Sequence, residues 1–464
     1  MMIPIESLRN ALAPCLDAQG FIPGDQAQER YCTDWSGARG QPLAVLRPTN
    51  SAQVAEVMRA CHGMRQPVVV QGGMTGLVGS CVPQAGEVVL SLERMNQIEE
   101  IDRISSTATV QAGVCLQTLQ EAVEEKSLFF PVDIGSRGSC HIGGLIATNA
   151  GGNRVLRYGM TRQSVRGLEV VLADGTLINR MGKAIKDNAG FDTKQIFIGS
   201  EGTLGVITRA VLALEPLPRA RQSALISLDG FGAVTDLLLH CKNRLGPRLS
   251  SFEVMWRDFF DFSVGKLKRG PPGLNLSGTH VVLVEAMGMD SAPDEALFLD
   301  ALSGFSDQHP ACEMVLARSM ADAQAIWSIR EAAGEAAQAV SPWAGFDVSL
   351  PIADMPAWVD GIHSQLRSLD LTQTQTYGHL GDGNLHLVVG VTTDPALKAK
   401  VTELVHSTIG ALGGSISGEH GIGFAKKPHL HLCRSAADIG IMKQLKHSFD
   451  PLGLLNPGRV LDLP

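Results

Sequence analysis

The sequence predicts an α+β fold of at least two domains, and three observations carry that expectation. The chain has 464 residues, too many for one ordinary hydrophobic core. Short apolar, β-branched runs alternate with segments of helical period along its length. Pro216 and Pro218 interrupt a strand pattern and mark a natural boundary near residue 218.

Taken in order, residues 5–18 read as an amphipathic helix, with Leu8, Leu12 and Leu16 recurring about once per turn. Leu43–Leu46 is a short strand. Ser51–His62 is a helix with Val54, Val57, Met58 and Cys61 on one face and Asn50 or Ser51 as its cap. Val68–Val70 is a strand that runs directly into a glycine loop. Strands are expected around Val88–Leu90 and Thr107–Ala112, with a helix over Cys115–Glu125 between the second of these and a second glycine-rich region. Ala173-Asp174-Gly175 is a turn joining Leu168–Leu172 to Thr176–Ile178 in a hairpin. Residues 199–208 lead into a further strand. Beyond the prolines, strands such as Ala224–Leu228 and His280–Ala286 alternate with helices, and a last helix covers about 436–448. The expected division is an N-terminal helical segment (1–41), a first domain (42–218), a second (219–410) and a C-terminal segment (411–464).

Composition narrows the function. Net charge of −8 and a pI of about 5.9 argue against a binder of nucleic-acid backbone. The nine cysteines form no CxxC pair, so neither a zinc ribbon nor a thioredoxin-type motif is expected, and the thiols read as reduced. The N-terminus shows no secretory pattern and no run of eighteen apolar residues occurs, so a cytoplasmic protein without a transmembrane helix is expected. Of fifty glycines, twenty lie between Gly72 and Gly205, interspersed with apolar residues rather than collected in a linker. That pattern points to backbone approaching a ligand closely.

Two segments carry the glycines. The first, Gln71-Gly72-Gly73-Met74-Thr75-Gly76-Leu77-Val78-Gly79-Ser80, follows a strand, where backbone N–H groups can converge on a phosphate. Neither GxGxxG nor GxxxxGK[ST] occurs in the chain, so a Rossmann site and a P-loop are both unsupported. The second runs from Pro131 through Gly135, Ser139, Gly143, Gly144, Thr148, Asn149, Gly151 and Gly152 to Arg154. Its donors and acceptors beside close backbone suit a flat heteroaromatic ring.

These segments, with Arg157-Tyr158-Gly159, Ala173-Asp174-Gly175 and Gly199-Ser200-Glu201-Gly202-Thr203-Leu204-Gly205, resemble the FAD-binding domain of the vanillyl-alcohol oxidase and p-cresol methylhydroxylase superfamily. The C-terminal YGHLGDGNLHL and SGEHGIG resemble its D-2-hydroxyglutarate and D-lactate dehydrogenase branch. The resemblance implies a two-subdomain FAD-binding domain of p-cresol methylhydroxylase type, a ferredoxin-like α+β cap over the substrate and a C-terminal helical segment. It places non-covalent FAD on Gln71, Gly72, Gly73, Met74, Thr75, Gly76, Leu77, Gly79 and Ser80, on the residues named in the second segment, and on Glu201, Gly202, Gly205, Ile207, Asn384 and Asn456. No histidine lies in the 71–80 loop to anchor the flavin covalently.

The C-terminal motifs have a chemistry of their own. His379 and His386 bracket Gly381-Asp382-Gly383, a turn able to bring two imidazoles together, and Glu419 arrives from a separate loop. Two histidines and a carboxylate suit a divalent cation such as zinc or manganese, and six of the thirteen histidines fall between 379 and 431. The resemblance implies His379, His386 and Glu419 as the ligands. His420 beside them can accept the substrate hydroxyl proton, and Arg330, in WSIREAA, can bind the substrate carboxylate.

The expected activity is therefore oxidation of a D-2-hydroxy acid to the 2-oxo acid by hydride transfer to the flavin. D-2-hydroxyglutarate is the first candidate, with D-lactate or another D-2-hydroxy acid as alternatives. Hydroxyglutarate-type members carry a lysine, a threonine and an asparagine where this chain has Gly345, Gly334 and Val388. Electrons would pass on to an electron-transfer flavoprotein or a quinone, and a homodimer is the working expectation. The rival readings are a non-redox FAD transferase like the ether-lipid synthases, a metal hydrolase and a non-enzymatic binding protein. The transferases typically carry a histidine run where this chain reads Ser417-Gly418-Glu419-His420-Gly421.

Overall fold

The structure, a computed structural model, describes residues 5–463; Met1–Pro4 and Pro464, at the ends of the sequence reading, lie outside them. The chain folds as two compact units. One comprises residues 5–152, 159–217 and 419–463, the other 153–158 and 218–418.

The first unit holds two main sheets. A four-stranded sheet runs in the order β1 (Phe21–Pro23), β2 (Ala44–Leu46), β4 (Val88–Ser91), β3 (Val68–Gln71), with β2 and β3 both parallel to β4. A helix at Ser51–Met64 links β2 to β3. Its N-cap is Asn50, whose side chain accepts from Gln53 N, and its Val54, Val57, Met58 and Cys61 are fully buried. Such a cap is worth about 1 kcal/mol. The second sheet is antiparallel: β5 (Ile98–Asp102), β6 (Thr107–Gln111), β10 (Val206–Ala213), β8 (Val165–Val171), β9 (Leu177–Arg180). A small pair, β7 (Leu128–Phe129) with β11 (Glu215–Pro216), completes it.

Several elements differ from expectation for local reasons. The first helix ends at Leu12 because Pro14 cannot continue it, yet Leu16 is still buried. The second glycine segment contains a helix, Ile142–Thr148, despite Gly143 and Gly144. Two helical glycines cost about 1 kcal/mol each, and burial of Ile142, Leu145 and Ile146 offsets this. Gly143 also lets the helix lie on β6's end, since a Cβ there would come 2.7 Å from Ala112 Cβ.

The second unit is built on one antiparallel seven-stranded sheet. Its order is β15 (Glu313–Leu316), β12 (Ala220–Leu228), β14 (His280–Gly288), β13 (Leu249–Trp256), β17 (Thr374–His379), β18 (Asn384–Gly390), β16 (Trp343–Ser349). Met255, Tyr377 and Val388 share one face of it and pack in a single core cluster with Trp327, Ala336 and Ala337 of helices Met320–Glu331 and Ala333–Ala339. The α+β class expected from the sequence is the class observed. Among the described residues no helix is long and apolar enough to cross a membrane, and all nine cysteines are free.

Candidate active site

The glycine segments meet in the first unit. A Cβ on Gly73 would lie 2.0 Å from Ser139 O, and one on Gly72 would lie 3.5 Å from His141 Cβ and 3.8 Å from Gly144. At Gly73 only glycine permits this approach, which brings the 72–73 backbone against residues 139–144 at the start of the 142–148 helix. The base of the loop is closed by Gln71, whose Nε2 donates to Tyr31 O and Cys81 O, both at 2.9 Å. Its Oε1 is buried and has no partner among the described residues. Met74 takes φ 58° and Gly79 φ 74°, left-handed conformations of the kind from which anion-binding turns are built. Thr75, Gly76 and Leu77 stay half-buried along the loop, while Ser80 is buried.

Glu201 ties the cradle together. It sits at φ 51°, and its own N–H donates to Ala147 O. Its carboxylate is buried and accepts from Ser80 Oγ, from Ile422 N at 2.7 Å and from Gly423 N at 3.0 Å. Burial pushes its pKa up in spite of these donors. Gly202 lies against Asn456, with a Cβ position 2.9 Å from Nδ2. Asn456 Oδ1 accepts from Val70 N at 2.9 Å and Nδ2 donates to Glu201 O at 2.8 Å, so it joins the strand that feeds the loop to the Glu201 turn.

Other expected contacts have local duties. Thr148 Oγ1 bonds back to Gly144 O, and Asn149, at φ 50°, accepts from Arg162 N through Oδ1. Gly205 packs against Val170 and Phe197, and Ile207 is buried in β10. Pro131 and Gly151 are buried, whereas Gly135 is exposed with nothing within 4 Å of a Cβ position. Gly152 N donates to the Glu419 carboxylate. Glu419 is thus held on Gly152 and Ile422 on Glu201, so the half-buried His420 lies between two anchored positions.

In the second unit the register brings the polar residues together. Glu253 on β13 pairs with His379 on β17, and Tyr377 on β17 pairs with His386 on β18. His379 Nδ1 lies 2.8 Å from Glu253 Oε1, and Arg330 Nε donates to Glu253 Oε2 at 2.8 Å. Arg330 Nη2 is 3.2 Å from His379 Nε2, and its guanidinium stacks over the Tyr377 ring at 4.6 Å. The rings of His379 and His386 are 5.4 Å apart and nearly perpendicular. Burial raises the cost of the Glu253 charge, but His379 and Arg330 outweigh it and hold the carboxyl below its usual range. The carboxylate fixes His379 with Nδ1 as donor, which makes Nε2, facing Arg330 Nη2, the acceptor nitrogen of the ring.

Asn384 directs its Nδ2 to Asp347 Oδ1 at 2.8 Å and Val348 O at 3.0 Å, and its buried Oδ1 has no partner among the described residues. Arg154 belongs to this second unit, 3.9 Å from the buried Glu285, rather than to the unit that holds the glycine cradle. Glu253, Tyr377 and Asp347 were not legible as site residues. Glu253 and Asp347 carry only strand alternation, Tyr377 opens the YGHLGDGNLHL motif, and the meaning of all three comes from register.

Comparison with known proteins places this geometry in a family. Residues 42–180 match the FAD binding domain and residues 217–460 the C-terminal domain of FAD linked oxidases. The mitochondrial D-2-hydroxyglutarate dehydrogenase of Rattus norvegicus is 38% identical, over 95% of this chain and 83% of its own. The D-2-hydroxyglutarate–pyruvate transhydrogenase of Saccharomyces cerevisiae is 35% identical, over 94% and 90%. The solved p-cresol methylhydroxylase with bound substrate shares the fold with a TM-score of 0.76 at 16% identity, over 99% and 97%. The cytoplasmic location expected from the N-terminus is overturned, because the rat relative and those of rice, cattle and Arabidopsis thaliana are named mitochondrial. The absence of a recognisable secretory pattern says nothing about other compartments.

Proposed function

The chain belongs to the FAD-linked oxidases with a D-2-hydroxyglutarate dehydrogenase type sequence, and from that premise we propose that it oxidises a D-2-hydroxy acid to the 2-oxo acid. The observation that carries the reading is the buried Glu253–His379–Arg330 cluster, which orients a metal-type histidine and a carboxylate-binding guanidinium from one anion. Two features fit the absent groups. At Gly73 a Cβ would lie 2.0 Å from Ser139 O, so glycine there lets the loop's main chain pack against residues 139–144, and such a loop of bare backbone amides suits the phosphates of a flavin nucleotide. The nearly perpendicular His379 and His386 rings, one with its Nδ1 on a carboxylate, suit a divalent cation.

When bound, FAD supplies the two-electron acceptor and the cation a Lewis acid for the hydroxyl oxygen. The chain's own residues do the rest. His379, His386 and Glu419 are the proposed cation ligands. Gly418, which precedes Glu419, is packed so tightly on Asn384 that a Cβ would come 2.0 Å from its Nδ2, and Asn384 is two residues before His386. Arg330 binds the substrate carboxylate. Its Nε is committed to Glu253 and its Nη2 lies 3.2 Å from His379 Nε2, so a carboxylate would bind the Nη edge beside that imidazole. His420 takes the hydroxyl proton as general base. The two electrons would leave for a carrier protein or a quinone.

The test is anaerobic bleaching of the yellow holoenzyme. D-2-hydroxy acids, D-2-hydroxyglutarate and D-lactate first, should bleach it and their L-enantiomers should not. A protein that no D-2-hydroxy acid bleaches would sink the proposal. The transferase reading then gains, since its flavin ends each cycle in its starting redox state.

A further inference from the structure

On the sheet face that carries His379, Tyr377 and His386, the next row along the strands is Gln375, Val388 and Gly345. Gln375 pairs with Val388 and Val388 with Gly345. Two residues along a strand is about 7 Å, the reach of a three- or four-carbon side chain from a carboxylate held at Arg330. The chemistry of this row is specific. Val388 is buried and apolar, in one core cluster with Tyr377. Gly345 is exposed, and the Trp343 indole lies over it, because a Cβ on Gly345 would come 2.6 Å from the ring. Gln375 is 3% exposed, and its Oε1 has no partner among the described residues. Strands β16, β17 and β18 place no lysine or arginine on this face.

We infer that this row is the subsite for the substrate's side chain, and that it takes a neutral chain, apolar or carrying a hydrogen-bond donor, in preference to a second carboxylate. A carboxylate brought here would shed water against an indole and a valine and find an amide in place of a cation. A methyl-terminated chain loses nothing, and a hydroxyl or amide N–H satisfies Gln375 Oε1. The inference rests on the D-2-hydroxy acid reading above. It concerns discrimination among those acids, with Gln375, Trp343 and Val388 as the specificity-determining residues.

A matched pair of substrates tests it. D-2-hydroxypentanoate and D-2-hydroxyglutarate have the same five-carbon chain and differ only in the terminal group. Anaerobic bleaching of the holoenzyme should give kcat/KM at least about tenfold higher for the pentanoate. In equilibrium titrations followed by the flavin spectrum, 2-oxopentanoate should bind more tightly than 2-oxoglutarate. Gly345→Lys supplies a cation to the row and should shift the ratio at least about tenfold toward the diacid. The double variant Trp343→Ala/Gly345→Lys relieves the indole contact should the single one fold poorly. Equal or better use of the diacid by the unaltered enzyme, or no shift in either variant, overturns the inference while the dehydrogenase reading stands. If neither acid bleaches the flavin, that reading fails and this one with it.

Discussion

Glu253 organises the chemistry at the scale of single residues. Its one carboxylate holds His379 through Nδ1 and Arg330 through Nε, so both groups depend on a residue that touches neither substrate nor flavin in the proposed reaction. Glu253→Gln should lower turnover or metal affinity about 10–100-fold with flavin content unchanged, measured by steady-state rates and metal analysis. His420→Ala should slow anaerobic flavin reduction about 10²–10⁴-fold; near-normal reduction would remove His420 as the base. Gly73→Ala acts on the cofactor instead. A methyl 2.0 Å from Ser139 O cannot be accommodated without moving the loop, so the purified variant should lose most of its flavin by absorbance. The histidines and glycines behind these predictions were legible in the sequence because their types and spacing are unusual. Glu253 was not, because a buried strand glutamate becomes informative only once its cross-strand partner is known.

At the scale of elements, the C-terminal segment holds the glycine cradle in place. Lys446, buried on helix Ala436–Phe449, donates to Thr203 O, Leu455 O and Asp450. Arg459 is buried with its guanidinium on Glu87 and on Ser80 O and Val82 O at the end of the 71–80 loop. Residues 446–459 thus brace the 71–80 loop and the Glu201 turn from behind. Asn456→Ala leaves Val70 N and Glu201 O without their partner, which should cost about 1–3 kcal/mol. Thermal unfolding and fluorescence titration of released FAD should show lower stability together with weaker flavin binding. Local patterns located most of the longer strands and helices of the 42–218 region, though not β5 or the short helices at 155–158, 161–164 and 194–197. They missed the 142–148 helix, where tertiary burial overrides the poor propensity of paired glycines.

Metal and proton linkage belong to the molecule as a whole. Dialysis against a chelator should lower turnover with the flavin retained, and zinc or manganese should restore it. Flavin loss in parallel would point instead to general unfolding. The depressed Glu253 pKa adds stability that is fully present above the ordinary carboxylate value of 4.5 and is lost as pH falls through the lower folded value. Denaturant titrations between pH 3 and 7 should show that loss below about pH 4.5 in the unaltered protein and a flatter profile in Glu253→Gln.

By itself the sequence determined the fold class, the glycine cradle, the family and the histidine, glutamate and arginine candidates. Each of these is written in residue types at short spacings, where local sterics and donor chemistry leave a signature. Tertiary structure alone decided which anion orients His379 and Arg330, how residues 446–459 brace the loops, and which side chains share a row with Val388. Those facts are set by register and packing between strands far apart in the chain. A one-residue slip of a strand would turn every one of its side chains to the opposite face without changing a letter of the sequence.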